Sequence, residues 1–269
     1  MTPSLIDRRR LKAETKVLLT DAQVSPKAMV ALYLGLLLIL DLLSYIGGSS
    51  SELLSTFLSI LTGLVSLVLG SGFTLYCMAI RRGERAEFLA LFDGFSMAGK
   101  IILLNLLQSL LIGLWSMLFL VPGIVAFYRY RFALYNLYEN PHISALEALD
   151  MSKRQTQGYK MQLFRLDLSY LGWFLLSGIP LWVESYWLNL EMTQHLLAGT
   201  PLPETFAVYS ALPDWGWLIL ASLWQLAVSL FYMTNMQCVE LGYFETAKST
   251  SGVSASRKEP PFDNGPDNF

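Results

Sequence analysis

The chain has 269 residues, of which 54% are hydrophobic and only 15% charged, with a mean hydropathy of +0.44. Soluble domains carry about 25% charged residues, so a deficit of this size spread over long apolar runs puts the chain in the membrane class. A net charge of −2 gives no electrostatic case for nucleic acid as a partner. The two cysteines, Cys77 and Cys238, have no CxxC spacing and no histidine pair beside them, so they read as apolar helix residues rather than a disulfide framework or a zinc site.

Residues Ser4 to Thr20 form a short basic amphipathic pattern, with Ser4 and Asp7 available to cap a helix. The cluster Arg8-Arg9-Arg10 is followed by Lys12, Glu14 and Lys16 where a signal peptide would be apolar, so cleavage is not expected. Either this segment lies on acyl chains through Leu5, Leu11, Val17 and Leu18, or it is a solvated helix packed on other loops. The first span is predicted over about Ala28–Ile46, interrupted only by Asp41, and Gly47-Gly48-Ser49-Ser50-Ser51 reads as a turn. The second runs from about Leu53 to Ile80. One side carries Ser55, Ser59, Gly63, Ser66 and Gly70, a small-residue stripe of the kind that lets helices approach closely in lipid. A lined pore is the other reading. Leu89–Gly94 is a short amphipathic link, and the third span runs from about Ala98 to Leu120.

Val121-Pro122-Gly123 is predicted to break or turn the helix, because proline lacks a donor and glycine tolerates unusual backbone angles. The apolar piece after it, Ile124–Tyr138, contains Arg129 and Arg131. Charge placement then assigns sides. Six of the 19 Lys and Arg precede the first span. Four lie between spans two and three, four between Lys153 and Arg165, and three in the tail. None lies in Gly47–Glu52 or Glu184–Asp214. The positive-inside rule puts the basic regions and both termini in the cytoplasm. The Pro122–Tyr138 piece must therefore return across the membrane as a full span, the preferred reading, or form a re-entrant hairpin with span three.

Asn140-Pro141 ends that piece. Ser144 and Glu147 form a capping box for a helix predicted to reach Gln157, with Gly158 as its stop. Span five is predicted over about Leu163–Trp182, with Pro180 near its outer end and Trp173 mid-helix as a packing residue. Glu184–Asp214 is an acidic, aromatic outer loop, with a short surface helix over Leu188–Leu197. Span six covers about Trp215–Tyr243. The fold expected is all-α, a polytopic transmembrane helical bundle of about six spans with short interfacial amphipathic helices. Its parts are a cytoplasmic basic segment (1–27), a six-span membrane domain (28–247) and a disordered cytoplasmic tail (248–269).

The central residues carry a resemblance. Pro122, Gly123, Tyr128, Arg129, Asn140-Pro141, Ala145–Leu149, Ser152, Gly158, Lys160, Leu163-Phe164, Leu166, Leu168, Ser169, Gly172 and Trp173 resemble the core of a bacterial multi-pass membrane family, domain of unknown function 975. Arg10-Leu11-Lys12 and Gly242-Tyr243-Phe244 are weaker matches. The resemblance implies a multi-pass fold in a bacterial membrane, and it supplies no catalytic residue. That family is in turn distantly similar to membrane domains attached to glycerophosphodiester phosphodiesterases, which implies lipid contact.

Catalytic signals are poor. No G-x-S-x-G, Walker A or H-E-x-x-H motif occurs. His142 and His195 are predicted on opposite sides, and Glu191 with His195 offers two ligands, too few for zinc. No catalytic, cofactor or metal residue is assigned. The sharper feature is charge within or near spans, at Arg129, Arg131, Asp167, Asp41 and Glu240, where ionised groups are costly and face the interior. Arg129 and Arg131 stand about 200° apart on a helix. Arg131 can snorkel, while Arg129 calls for a carboxylate, Asp167 first and then Asp41 or Glu240. The cluster is either a buried pair that fixes register or a site for an ion, headgroup or substrate. Two functions follow as expectations: a non-enzymatic scaffold or accessory factor contacting membrane lipids, another membrane protein or itself, or else a small transporter or channel subunit.

Overall fold

The structure, a computed structural model, describes residues 5–48, 51–199 and 215–253. Ser4, Ser49-Ser50, the stretch 200–214 of the expected outer loop and the expected tail beyond 253 lie outside these residues. The chain is all-α, with no strand among the described residues. Its helices are α1 (Arg8–Thr20), α2 (Pro26–Gly48), α3 (Glu52–Arg81), α4 (Ala98–Leu118), α5 (Leu120–Arg129), α6 (Ala133–Glu139), α7 (Ala145–Gln155), α8 (Lys160–Leu168), α9 (Leu171–Ser177), α10 (Ile179–Ala198) and α11 (Trp215–Ser251), with a 3₁₀ helix over Phe88–Met97. Four stretches are long and apolar enough to cross a membrane: α2, α3, the 3₁₀ helix continued into α4, and α11.

These four share a polarity. In α2 the buried residues Met29 and Val30 stand beside Lys27, and none follows to Gly47. In α3 the buried residues begin at Val68 and run to Ile80, against Arg81 and Arg82. In α4 they are Ile101 and Leu104, next to Lys100, and in α11 they begin at Val228 and continue to Ala247, before Lys248. Each helix is thus packed in protein at its basic end and exposes leucine, isoleucine and phenylalanine at the other. Apolar surface of that extent is covered by lipid or by a partner.

The chain divides into two compact units. One holds Leu5–Ala98 and Met161–Tyr243; the other holds Gly99–Lys160 and the chain from Phe244 onward. In the first, α1 starts at Asp7, whose carboxylate accepts from the amides of Arg9 (2.9 Å) and Arg10 (3.3 Å). The α2–α3 pair is joined by stacking of Tyr33 on Phe73 at 5.4 Å, and Tyr76 donates to the Val24 carbonyl at 2.8 Å. The 3₁₀ helix lies directly on the α3 backbone. A Cβ at Gly72 would stand 1.8 Å from the Leu91 carbonyl oxygen, and one at Gly94 would stand 2.7 Å from that of Val68. Helix α9 runs antiparallel to α11. Tyr170 donates to Asn235 at 2.6 Å, Trp173 stacks on Phe231 and Tyr232, and Trp224 donates to the Leu176 carbonyl at 2.9 Å. Trp173, 37% exposed, thus packs on α11 from the first turn of α9 rather than from the middle of a continuous helix.

In the second unit α4 and α5 form a hairpin. Near the start of α4, the Lys100 ammonium donates to the Pro141 carbonyl beyond α6. At the hairpin turn a Cβ at position 123 would fall 2.1 Å from the Ser116 hydroxyl, so Gly123 is required by close approach.

Several boundaries differ from expectation for local reasons. The break before α5 is at the extended Phe119, and Pro122 sits in the first turn of α5, where its missing N–H costs nothing. Gly47 and Gly48 stay helical at the end of α2. Helix α7 stops at Gln155, with Gly158 at φ +84° in the turn beyond. The predicted fifth span is divided into α8, α9 and the start of α10, and Pro180 opens α10 rather than closing a span. Helix α10 runs to Ala198 and ends on Gly199 at φ +63°, so the surface helix predicted from Leu188 begins nine residues earlier.

Candidate functional site

The motif residues of the second unit build a clasp around a broken helix. Breaking a helix between Arg129 and Ala133 leaves backbone groups without partners. The Ser152 hydroxyl supplies both lost contacts: it donates to the Arg129 carbonyl at 2.9 Å and accepts from the Phe132 amide at 3.0 Å. Thr156 adds a second donor to the Arg129 carbonyl at 3.2 Å. Both side chains come from α7 or its C-cap, and Ser144 caps that helix by accepting from the Glu147 amide at 3.2 Å. The capping serine is as predicted.

One turn further on, Asn136 and Gln155 are fully buried and exchange two hydrogen bonds, of 2.8 and 2.9 Å. Gln155 also donates to the Val253 carbonyl at 3.1 Å, Tyr159 donates to Thr250 at 3.1 Å, and Lys248 pairs with Glu139 at 2.6 Å. Phe132 and Tyr135 pack on Phe244. The clasp thereby grips the last turns of α11. Burial pulls the Lys160 ammonium below its usual range, helped by the positive charge of Arg129.

The expected charged residues fall as follows. The guanidinium of Arg129 faces the Trp115 ring at 5.9 Å and lines a cavity of about 270 Å³ with Val121, Pro122, Val125 and Ala126. Its Nε is buried without a hydrogen-bond partner among the described residues. Arg131 lies in the break between α5 and α6, over the rings of Phe127 and Tyr128, so the 200° argument for a continuous helix does not apply to it. Asp167 and Glu240 belong to the other unit, where Glu240 is buried in α11. Asp41 is exposed on α2 and borders a small cavity with Ser222 and Gln225.

The small-residue stripe of α3 is used unevenly within the chain. A Cβ at Gly70 would stand 3.2 Å from the Tyr33 hydroxyl, whereas nothing lies within 4 Å of a Cβ at Gly63, and Ser59 is exposed. Ser66 is half-buried. Gly72, the tightest position, falls outside the predicted spacing; the second glycine at position 94 is the only sequence trace of that crossing. The buried Asn136–Gln155 pair also escaped prediction, although two amide side chains flanking a capped helix are a usable signal. Cys77 and Cys238 are both buried and unbridged, and the Cys238 thiol donates to the Cys77 carbonyl at 3.9 Å.

A chain that is all-α, with four helices long and apolar enough to cross a membrane, has the build of a helical membrane protein. Residues 120–251 match the family model described as "Protein of unknown function (DUF975)", the family that the central motif resembles. No curated protein and no solved structure matches the chain.

Proposed function

We propose that the chain is a non-enzymatic scaffold or accessory factor of the bacterial cytoplasmic membrane, with both termini in the cytoplasm. The carrying observation is the coincidence, in all four long helices, of the basic end with the buried end. By the positive-inside rule those ends lie in the cytoplasm. At 1.5 Å per residue α3 and α11 are about 45 and 55 Å long, well beyond the roughly 30 Å hydrocarbon core. The excess is the packed, basic part, a platform at the inner surface. The motif residues serve that platform by joining backbone and helix ends.

The α4–α5 hairpin then begins and ends at the inner side. Its tip, Met117 to Val121, is entirely apolar and exposed. The return leg to Arg129 is only ten residues, about 15 Å. These features favour a hairpin whose tip stays in the bilayer. The segmented run α8–α10, antiparallel to α11, makes the outward crossing.

The Arg129 cavity favours a second reading, a small transporter. Flux measurements on reconstituted vesicles separate the two. The scaffold reading expects potassium, sodium and proton flux no greater than in empty vesicles. Flux that disappears in Arg129→Gln would overturn it in favour of transport.

A further inference from the structure

Where α1 turns into α2, a cavity of about 900 Å³ opens within the first unit. That volume is in the range of small-molecule sites, roughly 300–1,000 Å³. It is bounded by Lys12 and Lys16 of α1, by Lys27 at the start of α2, and by Thr234 and Asn235 of α11. None of the lining residues is acidic, and the nearby Glu14 is engaged by Arg10 at 2.7 Å. Three lysines therefore line one space with no carboxylate among its walls.

The groups are held in different ways. Lys12 is half-buried and fixed, donating to Ser169 at 2.8 Å and lying 3.7 Å over the Tyr170 ring. Burial, with Arg8 nearby, lowers its proton affinity, and an anion in the cavity would relieve that penalty. Lys16 and Lys27 are exposed, with Lys27 over Phe231 at 5.4 Å. Thr20, Gln23 and Ser25 add polar groups to the wall, and Leu19, Pro26, Leu230 and Phe231 form an apolar side. A basic, hydroxyl-lined recess with one apolar side at the inner end of spanning helices matches an anionic headgroup above its acyl chains.

We infer that the Lys12–Lys16–Lys27 cavity binds a phosphate group presented by an anionic phospholipid. This inference rests on the cytoplasmic placement proposed above. The test uses the full-length protein in a zwitterionic detergent, heated while its tryptophan fluorescence is followed. Dioleoyl phosphatidylglycerol, dioleoyl phosphatidylcholine and inorganic phosphate are compared at equal ionic strength. Phosphatidylglycerol is expected to raise the melting temperature by a few degrees. Phosphatidylcholine should not. The rise should be lost in the double variant Lys16→Gln, Lys27→Gln and kept in Lys153→Gln, an exposed lysine outside the cavity. Both lysines of the double variant are exposed, so its fold is not at risk.

An equal rise with inorganic phosphate supports a phosphate site and assigns the ligand to solution. No rise with either anion, or a rise unchanged in the double variant, overturns the site. Extraction with alkaline carbonate tests the membrane reading separately: release of the protein from membranes would defeat that reading whatever the anion result.

Discussion

The two halves of α3 are the instructive contrast. Leu53, Phe57 and Ile60 are exposed, while Phe73, Tyr76 and Met78, roughly four to seven turns on, are buried. Both halves are equally apolar, so composition does not separate them. What separates them is backbone approach and polar cross-bonding. The buried half carries Gly72 under Leu91, Gly70 beside Tyr33 and the Tyr76 bond to Val24. The exposed half carries no such contact at Gly63. Hydrophobicity places a helix in a bilayer, but it does not choose which residues touch protein, because lipid is as good a neighbour as leucine.

The largest effect should appear at that contrast. Gly72→Ala forces a methyl into the Leu91 carbonyl, and the crossing must shift, at about 3 kcal/mol. Gly63→Ala meets nothing and gains helix propensity, so it should be neutral or stabilising by less than about 1 kcal/mol. Thermal unfolding in detergent compares them; equal losses would break the division between halves. Gly63→Leu should likewise leave a monomer intact, and a loss confined to a higher oligomer would give that face a protein neighbour.

How legible this was follows from the same contrast. The four long apolar helices at the positions of expected spans one, two, three and six were readable because long apolar runs with basic ends are a strong signal. The fold class and the capping Ser144 were readable too. The break at Arg129–Ala133 was not, since the groups that repair it, Ser152 and Thr156, lie 23 and 27 residues from Arg129 in sequence. A serine at an apolar helix face looks like a small packing residue until its partners are known. The division of the fifth segment was hidden for a related reason: Tyr170 and Trp173 look apolar, and their pairing with α11 needs the fold.

The clasp sharpens the comparison on the packed side. Asn136→Leu should cost about 1–3 kcal/mol by stranding the buried Gln155 amide, and adding Gln155→Met should recover part of it. Additive losses in denaturant titrations would mean the two amides act independently. Ser152→Ala strands the Phe132 amide and should lose about 1–2 kcal/mol, with faster amide exchange at Phe132. Unchanged exchange there would remove Ser152 from its role at the break. The smallest effect belongs to Glu139→Gln. The half-buried pair with Lys248 is worth about 1 kcal/mol or less, and the loss should shrink further at high salt.

The central claim is that the packed, basic ends face the cytoplasm and the exposed apolar ends face lipid. Single cysteines in a Cys77→Ala, Cys238→Ala background test it directly, with an impermeant thiol reagent applied to intact cells. Glu52→Cys, at the far end of α3, should label from outside. Glu84→Cys and Gly252→Cys should label only after permeabilisation, and Leu120→Cys, at the hairpin tip, under neither condition. Labelling of Glu84→Cys or Gly252→Cys in intact cells would contradict the account.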